Sequence, residues 1–397
     1  MKDMKYDVVV VGAGPGGSSA AKWAAKSGAK VLMIEKRQEI GSPVRCGEGI
    51  AKIWLDELGI KPDKKWIANE VKGARIISPN GTILTLTEKL AGNECGYVVE
   101  RDIFDRELAK DAIRAGAEVM VKCAATDVIK ENGKVVGVKA KYMGEKFEIR
   151  APIVIGADGF ESQVGRWAGI DTSLRPEDIN TCFEYVLVGI DGNPDFNDFY
   201  LGSIAPGGYI WVFSKGADAA NVGIGVQLSK LKNGGDAKMY LDKFIRSKPG
   251  LAKGQPIKEI AGAVSVCAPI DCTVTDGLML VGDAARQIDP ITGGGVANAC
   301  MAGMIAGKVA GKALQKGDFS KEMLMEYDKG WREEFEDQMY RNFVAKEKLV
   351  KLSDETFDKC IEAMQGVDLE RITTLEILKA VQAKYPELIK EFEDLLM

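Results

Sequence analysis

Apolar residues in this chain fall into two alternating patterns: short unbroken runs, and longer stretches with helical spacing. Residues 6–11 (YDVVVV) are uncharged after Asp7, β-branched and closed by glycine, which predicts a strand covered on both faces. A glycine-rich tight turn follows at 12–17. Residues 18–27 are alanine-rich and predict a helix lying close against a sheet, ended by Gly28. Residues 30–34 (KVLMI) predict the next buried strand, with Glu35 directly after it. Strand, glycine turn, helix and strand in this order form a βαβ unit.

Beyond residue 60 the texture changes. Residues 71–77 and 81–87 predict two strands joined by the turn Pro79-Asn80-Gly81. Residues 101–115 return to helix, with Ile103, Phe104, Leu108, Ala112 and Ile113 apolar. Strands are expected at 119–121, 125–130 and 134–141, the last two joined at Asn132-Gly133. Residues 146–150 lead into a buried strand at 153–155 and then Gly156-Ala157-Asp158-Gly159. From about Asp171 to Cys267 the pattern is strand-rich, at 181–190, 198–202, 209–214 and 221–228, and reads as a separate antiparallel sheet inserted into the first domain. Residues 277–281 (GLMLV) resume the buried-strand pattern, and a long glycine-rich helix starts near Gly294. After Ser320 the chain is charged and helical. The expected layout is a first domain over 1–170, with the 71–97 strands contributing to the second; a second domain over 171–267; the last part of the first over 268–320; and a C-terminal helical region over 321–397.

Composition narrows the function. A net charge of −5 gives no broad attraction to nucleic acid. No uncharged apolar run is long enough to span a membrane. The first residues lack the apolar segment of a signal peptide, so a cytoplasmic location is expected. None of the 8 cysteines forms a C-x-x-C pair, so neither a metal cluster nor a disulfide framework is expected. The chain contains no histidine, so proton transfer must use Cys, Tyr, Asp, Glu, Lys, backbone or water.

Two segments carry the chemistry most directly. In Gly12-Ala13-Gly14-Pro15-Gly16-Gly17 the first glycine permits the sharp turn, the second lets a pyrophosphate approach the backbone, and the third lets helix and strand pack closely. Free N–H groups at the helix start then face the phosphates. Glu35 lies 21 positions after Gly14, and its carboxylate can accept from ribose hydroxyls. In Leu280-Val281-Gly282-Asp283 a strand delivers an aspartate at its carboxyl end, followed by Gly293-Gly294-Gly295 opening a helix at Val296. Asp283 suits a ribityl chain, and the Gly294-Gly295 amides the pyrimidine end of a flavin. Ala157-Asp158-Gly159 is a plain Asp-Gly turn by itself; its weight comes from lying between the other two.

These three segments, in this order, resemble the large flavoprotein family that includes p-hydroxybenzoate hydroxylase. The resemblance implies FAD as the resident cofactor. It implies an α/β fold: a Rossmann-type FAD-binding domain with an inserted antiparallel β-sheet substrate domain and C-terminal helices. By it, Arg101 matches the family's arginine near FAD, although it reads equally as a surface salt-bridge residue, and Ala124 matches the backbone position near the adenine. Ser42-Pro43-Val44-Arg45-Cys46-Gly47-Glu48-Gly49 resembles the flavin-facing loop of the geranylgeranyl reductases, placing Cys46, Gly47 and Gly49 beside the cofactor. Tyr209-Ile210-Trp211-Val212-Phe213-Ser214-Lys215 is similar to their Y-x-W-x-F-P sequence, except that Ser214 stands where proline is usual. On a strand Tyr209, Trp211 and Phe213 share one face. They read as an aromatic core face or, with the resemblance, as an isoprenoid-binding wall.

The resemblance, closest to the family's archaeal lipid-reducing branch, implies saturation of C=C bonds in geranylgeranyl chains of archaeal membrane-lipid precursors. Hydride from reduced flavin alone would leave an unstabilised carbanion, so a proton must accompany or precede it. Cys46 is the leading candidate for proton donor, with Tyr209 and an ordered water as competitors; packing under the flavin is the plainer role for Cys46. No second G-x-G-x-x-G appears between Arg101 and Asp283, so electrons are expected from a transient donor: a ferredoxin, a reduced deazaflavin or NAD(P)H. An isoprenoid lipid substrate requires a long apolar tunnel and peripheral contact with the membrane, for which the helices after Ser320 and a solvated charged bundle compete as readings of the same segment. A flavin monooxygenase of the same fold and a non-catalytic prenyl-lipid carrier are the alternative functions.

Overall fold

The computed structural model describes residues 4–87, 96–365 and 374–388. Of the expected strand segment 71–97, residues 88–95 with Cys95 lie outside the described residues, as do 366–373 and 389–397 of the C-terminal region. The chain divides into two compact units. The first comprises Met1–Val44, Arg101–Leu174 and Ser265–Asn342; the second comprises Arg45–Glu100, Arg175–Val264 and Phe343–Met397.

The first unit is built on a six-stranded sheet. Its strand order is Val274–Thr275, Leu278–Leu280, Ile153–Gly156, Val8–Val11, Val31–Ile34 and Glu118–Met120. Every pair is parallel except the outer hairpin of Val274–Thr275 with Leu278–Leu280. The four central strands are buried at every position, as the unbroken apolar runs require of a sheet covered on both faces. Helix Pro15–Lys26 packs against helix Val296–Lys316 at backbone contact distance. A Cβ added at Gly303 would lie 2.2 Å from the carbonyl oxygen of Gly16, and one at Gly307 2.5 Å from that of Ala20. Here small residues four apart form a groove that admits the neighbouring helix backbone. A second sheet orders Met4–Lys5, Glu145–Arg150, Lys134–Tyr142 and Cys123–Glu131. Its hairpin turns at Asn132 and Gly133, both at positive φ, as an Asn-Gly pair favours.

The second unit is organised by a seven-stranded sheet. Its order is Gln255–Ser265, Ile179–Val188, Ala219–Gln227, Tyr209–Ser214, Phe196–Tyr200, Gly73–Ile77 and Ile83–Thr87. The expected antiparallel sheet is interrupted by one parallel pair, Phe196–Tyr200 with Gly73–Ile77, because these strands come from distant parts of the chain rather than from a hairpin. One face buries Tyr185, Ile210, Val222 and Ile224 against Leu241 and Phe244 of helix Asp236–Ser247. That helix lies inside the span expected to be strand-rich. Ala237, Leu241 and Phe244 are its buried positions, a helical spacing set among charges. Strand Gln255–Ser265 is not among the strands expected from sequence: it is an edge strand, largely exposed, and carries Pro256 near its start, as an edge position tolerates.

Two expected boundaries move. Residues 45–70, assigned from sequence to the first domain, belong to the second unit, because Gly49–Ala51 and Ile67–Glu70 both pair with Gly96–Val99. Residues 321–342, assigned to a C-terminal region, belong to the first unit. Helix Lys321–Leu349 is anchored there by Trp331 Nε1, which donates to Thr273 Oγ1 at 3.0 Å, and by Asp328, which accepts from the Thr273 backbone N–H at 2.8 Å. Among the described residues no helix is long and apolar enough to cross a membrane.

Candidate cofactor cradle and active site

In the first unit, strand Val8–Val11 delivers Gly12 at φ +103°. A Cβ at Gly12 would lie 2.2 Å from the carbonyl oxygen of Ala157, and one at Gly17 1.9 Å from that of Gly12. Both glycines are demanded by the protein's own packing. At Gly14 an added Cβ would meet nothing within 4 Å among the described residues, so their packing does not require a glycine there. Gly14 is the N-cap of helix Pro15–Lys26, Pro15 opens it, and no side chain caps it and no acid occupies its first turn. The first-turn N–H groups at Gly16 and Gly17 therefore have no intrahelical acceptor and present a partial positive charge.

Glu35 stands at the rim of this turn. Its Oε2 accepts from the Ala13 N–H at 3.1 Å and its Oε1 from the Arg37 N–H at 2.8 Å, which fixes the carboxylate beside the glycine turn. A cavity of about 170 Å³ opens here, lined among others by Gly12, Gly14, Glu35, Cys123, Ala125 and Asp158. Cys123 and Ala125 flank Ala124, the residue expected near the adenine. Asp158 was the weakest of the sequence signals, yet its geometry is specific. Its Oδ2 accepts from the Val164 N–H at 3.0 Å, while its Oδ1 is buried with no hydrogen-bond partner among the described residues, and burial pushes the carboxyl pKa up. An unmatched buried carboxyl oxygen beside an open, uncapped helix start fits a bound dinucleotide.

Asp283 and the glycine loop occupy another part of the same unit. Asp283 Oδ1 would lie 3.5 Å from a Cβ at Gly295, so the aspartate and the glycine are immediate neighbours. Burial raises the Asp283 pKa, with Arg101 and Arg286 opposing. Arg101 forms a salt bridge with Asp105 through two contacts, 2.8 and 3.0 Å, and its side chain is 13% exposed, so the pair is largely buried. Asp289 Oδ1 accepts from the N–H groups of Ile291 and Thr292 at 2.9 and 2.8 Å, and its Oδ2 accepts from the Asn342 amide. The loop is thereby held so that Gly295 caps helix Val296–Lys316 without any side-chain acceptor.

The second unit holds the other cluster. Tyr209, Trp211 and Phe213 do share one face of their strand, with ring centroids 5.8 Å apart for the first pair and 6.3 Å for the second. Phe199 from the neighbouring strand completes the surface, 5.5 Å from Tyr209 and 5.3 Å from Phe213. The Cys46–Gly49 loop lies against it: a Cβ at Gly47 would be 3.1 Å from both Phe213 and the Trp211 indole nitrogen, and one at Gly49 3.2 Å from Phe213. Ser214 takes over at the position where the resembling sequences carry proline. Its N–H donates to Asn197 at 3.2 Å and its hydroxyl to the Gly216 carbonyl at 2.9 Å, so the strand ends in hydrogen bonds rather than in a ring.

Four residues given no role from sequence hold this cluster together. Glu48 is 3% exposed and sits at φ +72°, unusual for a residue with a side chain. Its carboxylate pairs with Lys215 Nζ at 2.6 Å and accepts from the Asn221 amide at 2.8 Å, and its N–H donates to Cys46 Sγ at 3.2 Å. The same Asn221 amide donates to the Gly47 carbonyl at 3.1 Å. Glu184 is 2% exposed and accepts from Trp211 Nε1 at 2.7 Å. Burial is the main reason its pKa is pushed up to about 8; Glu48 adds to the shift, and the Trp211 bond, Lys215 and Lys258 oppose it. Burial likewise pushes the Cys182 thiol up to about 12, with Glu184 and Cys46 contributing. Glu48 and Lys215 both lay inside the segments singled out from sequence. The signal for Glu184 was a lone acid among apolar residues on a buried strand.

Comparisons with known proteins agree with this geometry. A family described as the FAD binding domain matches residues 5–188, and one described as the geranylgeranyl reductase catalytic domain matches residues 178–264. The chain is 54% identical over 394 residues to a digeranylgeranylglycerophospholipid reductase of Thermoplasma volcanium, covering 98% of this chain and 99% of that one. It is 49% identical over 395 residues to the protein of that name from Methanothrix thermoacetophila, covering 99% and 100%. A crystal structure of a geranylgeranyl bacteriochlorophyll reductase-like protein from Thermoplasma acidophilum superposes with a TM-score of 0.94 at 54% identity, covering 99% and 100%. A flavin-dependent brominase superposes with a TM-score of 0.72 at 21% identity, covering 99% and 93%, which shows a common fold alone.

Proposed function

The chain belongs to the geranylgeranyl reductase family of FAD-dependent oxidoreductases, and from that membership we propose that it saturates the C=C bonds of geranylgeranyl chains in archaeal membrane-lipid precursors of the digeranylgeranylglycerophospholipid kind. The observation that carries this reading within the chain itself is the aromatic face of Phe199, Tyr209, Trp211 and Phe213, with the Cys46–Gly49 loop fastened across it. An apolar chain buries its surface against such rings. Among the described residues, Glu48 and Lys215, the charged side chains fastened into the cluster, pair with each other at 2.6 Å.

FAD, when bound, supplies the two-electron reductant that is delivered as hydride. In our reading Gly14, Pro15, Gly16 and Gly17 hold its pyrophosphate on the helix start, and Glu35 takes the ribose hydroxyls. Asp158 supplies its unmatched oxygen, Asp283 takes the ribityl chain, and Gly294, Gly295 and Val296 present amides to the flavin. Arg101 stands near FAD, as the resemblance implies, and its positive charge also acts on Asp283. Tyr209, Trp211 and Phe213 orient the prenyl chain and exclude water. Cys46 and Tyr209 bear exchangeable protons beside that surface.

The lipid substrate implies peripheral contact with the inner face of the membrane. Electrons are supplied by a transient donor, a ferredoxin, a reduced deazaflavin or NAD(P)H, since no second dinucleotide fingerprint lies between Arg101 and Asp283. The test is anaerobic incubation of the dithionite-reduced protein with the unsaturated lipid, followed by mass spectrometry. A gain of two hydrogens per double bond with reoxidised flavin is the expected result. A gain of oxygen on admitting air identifies a monooxygenase, and flavin that stays reduced identifies a carrier; either removes this proposal.

A further inference from the structure

Alkene reduction consumes a proton as well as a hydride, and a chain without histidine must keep that proton elsewhere. Within the cluster of the second unit the two buried carboxyl groups are treated oppositely. Glu48 is bound by the Lys215 ammonium and the Asn221 amide. Among the described residues Glu184 has the Trp211 indole on Oε2, and its Oε1 is buried with no hydrogen-bond partner. An unmatched buried oxygen in a native fold calls for a reason, and a buried carboxyl without a cationic partner is a group that can hold a proton for transfer.

Resting on the reductase reading, we propose that Glu184 holds the proton that the reduction adds to the alkene, with Oε1 as the donor atom. In the balanced step the π bond of the alkene breaks and the Glu184 O–H bond breaks. One carbon takes that proton and the other takes the hydride furnished by the reduced cofactor, which is thereby oxidised. The carboxylate left behind recovers a proton from solvent before the next turnover. Its transient charge is met by the Trp211 N–H at 2.7 Å and by the fields of Lys215 and Lys258. The groups that face Glu184 are therefore Trp211 and Lys215 from one strand and its end, Lys258 from the edge strand, Glu48 from the loop, and Cys182 from its own strand with Cys46 beside it. Burial and Glu48 keep the acid protonated at neutral pH, with a midpoint of about 8.

Glu184→Gln keeps the volume and an acceptor for the indole while removing the proton. Reduction of the lipid by dithionite-reduced protein is expected to fall about 10²-fold or more in this variant. The wild-type rate should fall above about pH 8, and that limb should be absent from Glu184→Gln and retained in Cys46→Ala. Independently of turnover, the infrared difference between wild type and Glu184→Gln should show a protonated-carboxyl band at pH 6.5 that is lost at pH 9.5. A Glu184→Gln protein reducing lipid at the wild-type rate, a limb that disappears with Cys46 instead, or no such band overturns the proposal. A wild-type protein that shows the band yet leaves the lipid unchanged at every pH removes the reductase reading itself, and this role with it.

Discussion

The Trp211 indole N–H reaches Glu184 Oε2 at 2.7 Å across a strand position that has no side chain. Gly223 pairs with Trp211 on one side and Glu184 on the other, and the indole lies directly over it. A Cβ there would be 2.2 Å from Trp211 Cζ2, well inside van der Waals contact. Three strands thus cooperate to hold one aromatic ring edge-on to one acid.

Gly223→Ala should push the indole off its seat, although the glycine's backbone conformation is ordinary. The expected cost is about 1–3 kcal/mol, the range for overpacking a close-packed site. Denaturant unfolding of the variant measures it. Loss of the Trp211 bond should also lower activity in Gly223→Ala more than stability alone accounts for, since the Tyr209–Trp211–Phe213 surface is then no longer fixed. A variant as stable and as active as wild type would show that the indole has another seat.

The Lys215–Glu48 pair makes a second expectation. Both side chains are nearly buried, 8% and 3% exposed, so removing one partner strands a charge. Lys215→Met should destabilise the protein by about 3–5 kcal/mol, and adding Glu48→Gln should recover a large share of it. Lys215 also meets Glu100 at 2.9 Å, but that carboxylate is 41% exposed and keeps its water, so the coupling should run through Glu48. Additive effects of the two substitutions in denaturant unfolding would show the pair to be uncoupled.

Legibility in the sequence tracked how local each cause was. The glycine turn, the four buried strands of the parallel sheet and the Asn132-Gly133 hairpin are dictated by neighbours, and all were read correctly in kind. Helix starts slipped: Pro15–Lys26 begins three residues before the alanine run that announced it, because Pro15 is favourable at a first helical position. The aromatic face followed from alternation alone. Its supports did not. Asn221 meets Glu48 from 173 positions away, and Glu184 meets Trp211 from 27, so no window of sequence contains either pair. The same reason hid the membership of residues 45–70 in the second unit, whose pairing partner is the strand Gly96–Val99.

The raised pKa of Glu184 has a consequence for stability with a definite sign. Its ordinary value is 4.5 and its folded value about 8. Between these the unfolded chain has lost the proton that the folded chain keeps. Raising pH through this window therefore favours unfolding, by about 1.4 kcal/mol per pH unit from this group. The stability of wild type minus that of Glu184→Gln should fall between pH 5 and 8 and level off above about 8. Urea unfolding of both proteins at several pH values checks this. A difference that stays constant across the window would mean that Glu184 is ionised in the folded protein.

The glycines of the amino-terminal turn separate packing from ligand binding, because only some of them are required by the protein itself. Gly17→Ala would place a Cβ 1.9 Å from the Gly12 carbonyl oxygen, so the turn must open and the fold should weaken with or without cofactor. Gly14→Ala meets no atom of the described residues within 4 Å, and the flavin-free protein should be as stable as wild type. Its cost should appear only when the pyrophosphate approaches the uncapped helix start, where the added methyl stands in the way. FAD affinity should then fall by at least about tenfold, or ~1.4 kcal/mol. Unfolding of the stripped proteins together with FAD titration separates the two effects. A Gly14→Ala protein that binds FAD as tightly as wild type would place the pyrophosphate away from this helix, and one that loses stability when stripped would mean that the open space at Gly14 is filled by the protein.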